Sequence, residues 1–166
     1  MKTQTLELEI AQILTERGQK VVFAESCTGG LIGHRITNLP GSSAYYLGSI
    51  TAYAYEAKVK WLNVSWDTLK AHGAVSQEVV LEMAKGVRDA LQADIGLSVS
   101  GIAGPSGGLP DKPVGTIWIG LAAADGAWSR HFCWDGDRAQ NKSLSADAVL
   151  QMLLEYLQGK RNLDVA

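Results

Sequence analysis

Hydrophobic residues recur along this chain with two spacings, one typical of helices and one typical of strands. Apolar residues three and four positions apart, with capping residues before them and glycine or proline after them, indicate helices. Six helical segments are predicted from these signals, over about residues 4–17, 29–38, 56–62, 65–73, 76–91 and 137–157, of which 56–62 is either a short helix or a single helical turn.

Continuous or alternating apolar runs predict strands between these helices. The five predicted strands cover about residues 20–25, 44–53, 95–100, 114–123 and 128–134. Asp125-Gly126 is a two-residue hairpin signal between the last two strands, and a longer loop that includes Ala124 and Ala127 is the alternative. Alternating strands and helices, followed by a hairpin and a last helix, predict a single-domain three-layer α/β/α sandwich with a mixed, mostly parallel sheet. We expect the domain to cover 1–159, and 160–166 to form a polar, frayed tail.

Composition narrows the function classes without choosing one. With 166 residues, 46% of them hydrophobic, the chain can bury the core of one domain. The net charge is −2 and no block of like charges is present, which argues against nucleic-acid binding. No long apolar run indicates a membrane segment or a signal peptide, so we expect a cytoplasmic protein. The two cysteines, Cys27 and Cys133, have no metal-site spacing.

The richest chemistry lies where the first predicted strand runs into paired glycines, at Ser26-Cys27-Thr28-Gly29-Gly30. Ligands of open α/β sheets bind at such strand ends, and free helix N-termini attract anions. Ser26 is therefore a candidate nucleophile, and the turn a candidate oxyanion site or phosphate cradle. Alternatively, Ser26 or Thr28 only caps the next helix. Cys27 is a rival nucleophile, although a buried packing role is favoured.

A nucleophilic serine needs a base, and lysine is the better candidate. The chain has three histidines, His34, His72 and His131. None of them has an acidic residue evident in the sequence that could orient it as a base. Lys58 follows a predicted strand, and Val59 and Trp61 beside it can desolvate the amine. Burial lowers a lysine pKa, and the neutral amine can accept a serine proton. The alternative is a solvated lysine on a helix surface.

Two further segments have the composition of ligand-binding loops. Residues 98–108 are rich in glycine and follow a strand, so they form either an anion-binding nest or a flexible connection. Arg138 opens the last helix after Gly136-Asp137. Its guanidinium can bind a phosphate or carboxylate, or pair with Asp135 or Asp137.

Together these segments resemble the CinA C-terminal domain family, which includes nicotinamide-nucleotide amidases. The resemblance covers nearly the whole chain, and its segments occur in family order at residues 24–30, 40–43, 53 with 56–58, 72–76, 100–105 with 107–108, 112–116 and 136–138. It implies an amidohydrolase of pyridine nucleotide recycling that converts nicotinamide mononucleotide to nicotinate mononucleotide and ammonia, without a metal or cofactor.

The resemblance also implies residue roles. Ser26 matches the nucleophile, Lys58 the base and Tyr53 a supporting hydroxyl. The expected substrate- or phosphate-binding residues are Thr28, Gly29, Gly30, Gly101, Ala103, Gly104, Thr116, Arg138 and Lys142. Two alternatives remain, a catalytically silent nucleotide-binding paralogue and an amidase for a different small amide.

Two positions depart from the family pattern. Active relatives commonly have asparagine where this chain has Tyr55, and arginine where it has Lys142. Lysine keeps the charge but loses the bidentate fork of arginine, so substrate contacts can differ while the serine–lysine chemistry survives. The expected partner is a small nucleotide. A homodimer is a further possibility, because Tyr46, Trp61 and Trp66 serve either an interface or the core.

Overall fold

Five strands form one mixed sheet with helices on both faces, in a computed structural model that describes residues 2–164. The helices are α1 (Lys2–Arg17), α2 (Leu31–Thr37), α3 (Tyr55–Leu62), α4 (Trp66–His72), α5 (Gln77–Leu91) and α6 (Arg138–Leu157). The strands are β1 (Val21–Glu25), β2 (Tyr46–Thr51), β3 (Ile95–Gly101), β4 (Thr116–Ala123) and β5 (Gly126–Cys133). A helical segment or a strand was predicted from the sequence at each of these places.

The strand order in the sheet is β2-β1-β3-β4-β5. Strand β1 pairs in parallel with both β2 and β3, whereas β4 is antiparallel to β3 and to β5. Four strands therefore run in one direction and β4 runs in the other, which confirms the mixed, mostly parallel sheet. The carboxyl ends of β1, β2 and β3 meet at one edge of the sheet, where open α/β folds bind ligands.

Strand β1 is buried on both faces and separates two hydrophobic clusters. Val21 and Phe23 belong to the cluster that includes apolar residues of α1 and α6. Val22 and Ala24 point the other way, into the cluster formed with α3, α4 and α5. Side chains alternate along a strand, so a continuous apolar run suits a strand covered by helices on both faces. The three-layer α/β/α arrangement is confirmed.

Side-chain caps define where three of the helices begin. Ser65 accepts the amide of Asp67 at the start of α4, and Ser76 accepts that of Val79 at the start of α5. Asp137 and Gln140 form a reciprocal capping box at the start of α6. The predicted starts of these helices are thus confirmed. Within residues 2–164, none of the helices combines the length and the apolar character needed to cross a bilayer.

The last hairpin differs from its prediction by one residue. Ala123 pairs with Gly126, so the two turn residues are Ala124 and Asp125, rather than Asp125 and Gly126. Gly126 consequently belongs to β5, which starts two residues earlier than predicted.

The expectation of a frayed tail is wrong for residues 160–164. Leu163 is fully buried, and its carbonyl oxygen accepts a hydrogen bond from Arg130 of β5. The amide of Ser129 donates to the Asp164 carboxylate at 2.8 Å. Residues 160–164 therefore pack along β5 as part of the folded unit.

Candidate active site

A cavity of about 200 Å³ lies at the carboxyl ends of β1 and β3. It is lined by Ser26, Cys27, Tyr53, Lys58, Ala74, Val75, Ser100, Gly101, Ala103 and Arg138. The cavity thus brings together both members of the predicted serine–lysine pair, the predicted tyrosine and three of the predicted binding residues. The three histidines do not line it.

Lys58 reaches the nucleophile candidate from the first half of α3. Its Nζ lies 2.9 Å from Ser26 Oγ, 2.8 Å from the Ala52 carbonyl oxygen and 2.9 Å from the Tyr53 carbonyl oxygen. As an ammonium, the group donates to all three. When the amine is neutral, its two remaining N–H groups can serve the carbonyls, which only accept. Its lone pair then faces the Ser26 hydroxyl, in the orientation that a general base requires.

Burial favours the neutral amine of Lys58. The side chain is 1% exposed, and desolvation lowers its pKa from 10.5 to about 8. At pH 7, about a tenth of the molecules then carry the neutral amine. This setting contradicts the alternative of a solvated surface lysine.

The same burial acts in the opposite sense on Cys27. Desolvation raises the pKa of its thiol to about 12, because a thiolate loses its hydration there. The thiolate is the reactive form of cysteine, so Cys27 is inert at neutral pH. Its 5% exposure agrees with the favoured packing role.

Glu25 organises the turn after β1, a role that the sequence analysis missed. This fully buried carboxylate accepts the Thr28 hydroxyl at 2.6 Å and the amides of Gly30, Ile32 and Gly33 at 3.0–3.1 Å. It therefore occupies the N-terminus of α2 and satisfies the donors that the helix itself cannot pair. The signal for it was a single charge at the end of an otherwise apolar strand.

This arrangement corrects the expectation of a phosphate cradle at the N-terminus of α2. The Thr28 hydroxyl and the Gly30 amide are taken by Glu25, and the Gly29 amide donates to the Ser26 carbonyl at 3.1 Å. The amides of Cys27 and Thr28 make no backbone–backbone hydrogen bond among the described residues. They are the remaining backbone donors beside Ser26.

Thr116 is hydrogen-bonded within the protein and does not line the cavity. Its hydroxyl donates to the Pro113 carbonyl at 2.6 Å, and its own carbonyl accepts the Ile102 amide at 2.9 Å. These bonds fasten the two ends of the 102–115 loop, and the expected substrate contact of Thr116 stays a prediction.

Arg138 lies across the mouth of the cavity. It donates to the Gly104 carbonyl at 2.7 Å and to the Tyr53 hydroxyl at 3.3 Å. Among the described residues it forms no ion pair with Asp135 or Asp137, which excludes the structural pairing considered from the sequence. Two of its five N–H donors are engaged, so others remain for a ligand.

A second concavity of about 560 Å³ adjoins the cavity and shares Ala103 and Arg138 with it. Lys142 lies one turn after Arg138 on α6, and its Nζ is 3.9 Å from the position that a Cβ on Gly29 would take. Both predicted cationic residues are therefore on the side of the site that α6 forms.

Asn141 is a second residue that the sequence analysis missed. This fully buried side chain donates to the carbonyls of Ala103 and Gly136 at 3.1 and 2.9 Å, and accepts the Gly136 amide at 3.1 Å. It ties the glycine loop to α6 and so fixes the wall between the two concavities. A polar residue on the buried face of α6 was the available signal.

Comparisons with known proteins agree with this architecture. The family model for the CinA C-terminal domain matches residues 3–157. CinA-like proteins of Desulfosudis oleivorans and Salinibacter ruber are 51% and 50% identical to this chain over 153 and 147 residues, which are 92% and 89% of it. These matches cover 37% and 36% of the relatives, so the chain spans little more than a third of their length.

Solved structures extend the likeness to the whole fold. The competence damage-inducible protein A of Klebsiella pneumoniae superposes with a TM-score of 0.92 at 33% identity, covering 96% of this chain and 99% of that one. A competence/damage inducible protein of Agrobacterium tumefaciens gives 0.91 at 34% identity, with 95% and 96% covered. The chain belongs to the CinA C-terminal domain family.

Proposed function

We propose that this protein is an amidohydrolase that deamidates nicotinamide mononucleotide to nicotinate mononucleotide and ammonia, a reaction of pyridine nucleotide recycling. The observation that carries the proposal is the contact of 2.9 Å between Lys58 Nζ and Ser26 Oγ inside a cavity. A buried amine with a lowered pKa beside a serine hydroxyl is a nucleophile–base pair. Membership of the family, which includes such amidases, supports this choice of reaction.

The reaction begins when neutral Lys58 takes the proton of Ser26 and the serine oxygen attacks the carboxamide carbon. We assign the developing oxyanion to the amides of Cys27 and Thr28, the donors of the turn that make no backbone–backbone hydrogen bond, and one such donor contributes about 3 kcal/mol. The Lys58 ammonium then protonates the departing nitrogen as the C–N bond breaks. Water hydrolyses the remaining ester of Ser26, with Lys58 again accepting a proton.

The two concavities accommodate different parts of the substrate. A cavity of about 200 Å³ is too small for a whole nucleotide, so it takes the carboxamide and its ring. The ribose phosphate extends past Arg138 toward the adjoining concavity, which Arg138 lines, and the free donors of Arg138 bind the phosphate. The ammonium of Lys142, one turn further along α6, adds electrostatic attraction. In this arrangement the phosphate is bound by side chains of α6, not by the N-terminus of α2.

One observation favours a second candidate, an amidase for a different small amide. Tyr55 replaces the asparagine common in active relatives, and its hydroxyl accepts the Ala74 amide at 3.3 Å. Its ring lies 6.4 Å from that of Trp66, so the larger side chain has a defined position. Because Ala74 lines the cavity, Tyr55 can alter the substrate-contacting wall without touching Ser26 or Lys58.

Ammonia release from nicotinamide mononucleotide tests the proposal. We expect the wild-type protein to release ammonia, Ser26→Ala to abolish the release and Cys27→Ala to retain it. Ammonia from other small amides alone would support the second candidate. Saturable nucleotide binding without ammonia would contradict the proposal and indicate a silent paralogue. Full activity in Ser26→Ala would contradict the assigned nucleophile.

A further inference from the structure

Ser100 presents a hydroxyl to the cavity that the protein itself does not use. The residue is 1% exposed and lines the cavity, and its hydroxyl makes no hydrogen bond to the described part of the chain. Ser98, two residues earlier on β3 and equally buried, donates its hydroxyl to the Val80 carbonyl at 2.5 Å. A nearly buried polar group costs free energy unless it has a hydrogen-bond partner. A ligand in the cavity can supply the partner that the Ser100 hydroxyl lacks.

The sheet register places this hydroxyl beside the nucleophile. Glu25 of β1 pairs in parallel with Val99 of β3, and the Ser26 amide donates to the Val99 carbonyl at 3.1 Å. Ser26 follows Glu25 and Ser100 follows Val99, so the two serines lie side by side on adjacent backbones about 4.8 Å apart. Because side chains alternate along strands, both serines extend from the face that carries Val22, Ala24 and Ser98.

Three acceptor groups near Ser26 are already engaged. The carbonyls of Ala52 and Tyr53 receive hydrogen bonds from Lys58, and the Glu25 carboxylate is held within the turn. A primary carboxamide attacked by Ser26 brings two N–H donors into this space. The Ser100 hydroxyl is the acceptor available to them from β3.

We propose that Ser100 contacts the substrate and holds the carboxamide nitrogen, an inference that rests on the proposed amidase function. Its oxygen accepts one N–H, so that the nitrogen lone pair of the tetrahedral intermediate faces the Lys58 ammonium. When the C–N bond breaks, its electron pair stays on nitrogen, which takes the Lys58 proton and leaves as ammonia. The carbonyl re-forms on the Ser26 ester, and Lys58 returns to the neutral amine.

Ser100→Ala and its matched control Ser98→Ala separate this role from a structural one. We expect Ser100→Ala to lower kcat for the nucleotide amide about 10-fold or more, with little change in thermal midpoint. Ser98→Ala removes a hydroxyl that donates to a carbonyl of α5, so we expect it to lower the thermal midpoint and leave kcat nearly unchanged. Wild-type kcat in Ser100→Ala, in an otherwise active enzyme, would overturn the inference alone.

A second readout compares the amide with the methyl ester of nicotinate mononucleotide. The ester has no N–H for Ser100 to accept, so Ser100→Ala is expected to slow amide hydrolysis several-fold more than ester hydrolysis. Equal losses on both substrates would indicate a structural role and overturn the inference. If the wild-type protein releases no ammonia from the nucleotide amide, both the proposed function and this inference are contradicted.

Discussion

Burial has opposite chemical consequences for two neighbouring residues of this site. It lowers the pKa of Lys58 to about 8, which makes the neutral base accessible, and raises that of Cys27 to about 12, which keeps the thiol protonated. Desolvation disfavours the charged form in both cases. These opposite pKa shifts favour Ser26 over the adjacent Cys27 as the proposed nucleophile.

The first prediction concerns the charge of Lys58. Because the neutral amine is the proposed base, kcat/KM should rise with pH through an apparent pKa near 8 and level off above it. Lys58→Arg keeps a cation that cannot act as a base, and should lower kcat about 100-fold or more. The exposed Lys60, two residues away, supplies the control Lys60→Arg, for which we expect wild-type rates. A pH-independent kcat/KM between pH 6 and 9 would contradict the assignment.

At the scale of elements, the turn from β1 into α2 depends on one carboxylate. Glu25 collects three amides and one hydroxyl, and thereby fixes the backbone on which Ser26, Cys27 and Thr28 lie. Helix α2 contains seven residues, too few to be stable by itself, so this cap contributes to its formation.

Glu25→Gln tests that dependence. Glutamine has nearly the same shape, but its NH₂ group faces donors and leaves buried amides unsatisfied. We expect the free energy of unfolding to fall by about 2 kcal/mol, together with a loss of kcat. Denaturant titration measures the first effect, and Glu9→Gln on the exposed face of α1 is the control. Unchanged stability in Glu25→Gln would show that α2 forms without this cap.

Elements were predictable from the sequence to a greater extent than contacts. Apolar spacing located β1 and α6 to within one residue, because periodicity records which face of an element is buried. The cap by Glu25 spans residues 25–33 and depends on a turn geometry that periodicity does not encode. Because this cap could not be foreseen, Thr28 and Gly30 were predicted to bind phosphate. The contact between Ser26 and Lys58 was expected, and the structure has it.

At the scale of the whole molecule, the segment after α6 completes the fold. Leu163 is fully buried in the cluster of α1 and α6, while Asn162 beside it is exposed. Leu163→Ala should therefore lower the free energy of unfolding by about 2–5 kcal/mol, and Asn162→Ala should leave it nearly unchanged. Equal stability of the two variants in denaturant titration would show that residues 160–164 do not contribute to the folded core.

Lys58 also couples stability to pH. Its pKa is about 8 in the folded protein against 10.5 for an unperturbed lysine, so the unfolded state binds more protons between these values. The contribution of Lys58 to the free energy of unfolding is therefore lowest below pH 8 and rises between pH 8 and pH 10.5. Relative to Lys58→Met, the wild-type protein should gain about 2 kcal/mol in unfolding free energy from pH 7 to 9.5. A pH-independent difference between the two proteins would contradict the lowered pKa.

The most direct test of the account is an NMR titration of the Lys58 side chain, with ¹³C-labelled lysine and Lys58→Arg to assign the signal. It measures the proton affinity of the proposed base itself, without a substrate. We predict a midpoint near pH 8, and in Ser26→Ala a titration that remains well below the ordinary value of 10.5 because burial is its main cause. A midpoint at pH 10 or above would contradict the account, since Lys58 would then remain protonated at neutral pH and could not activate Ser26.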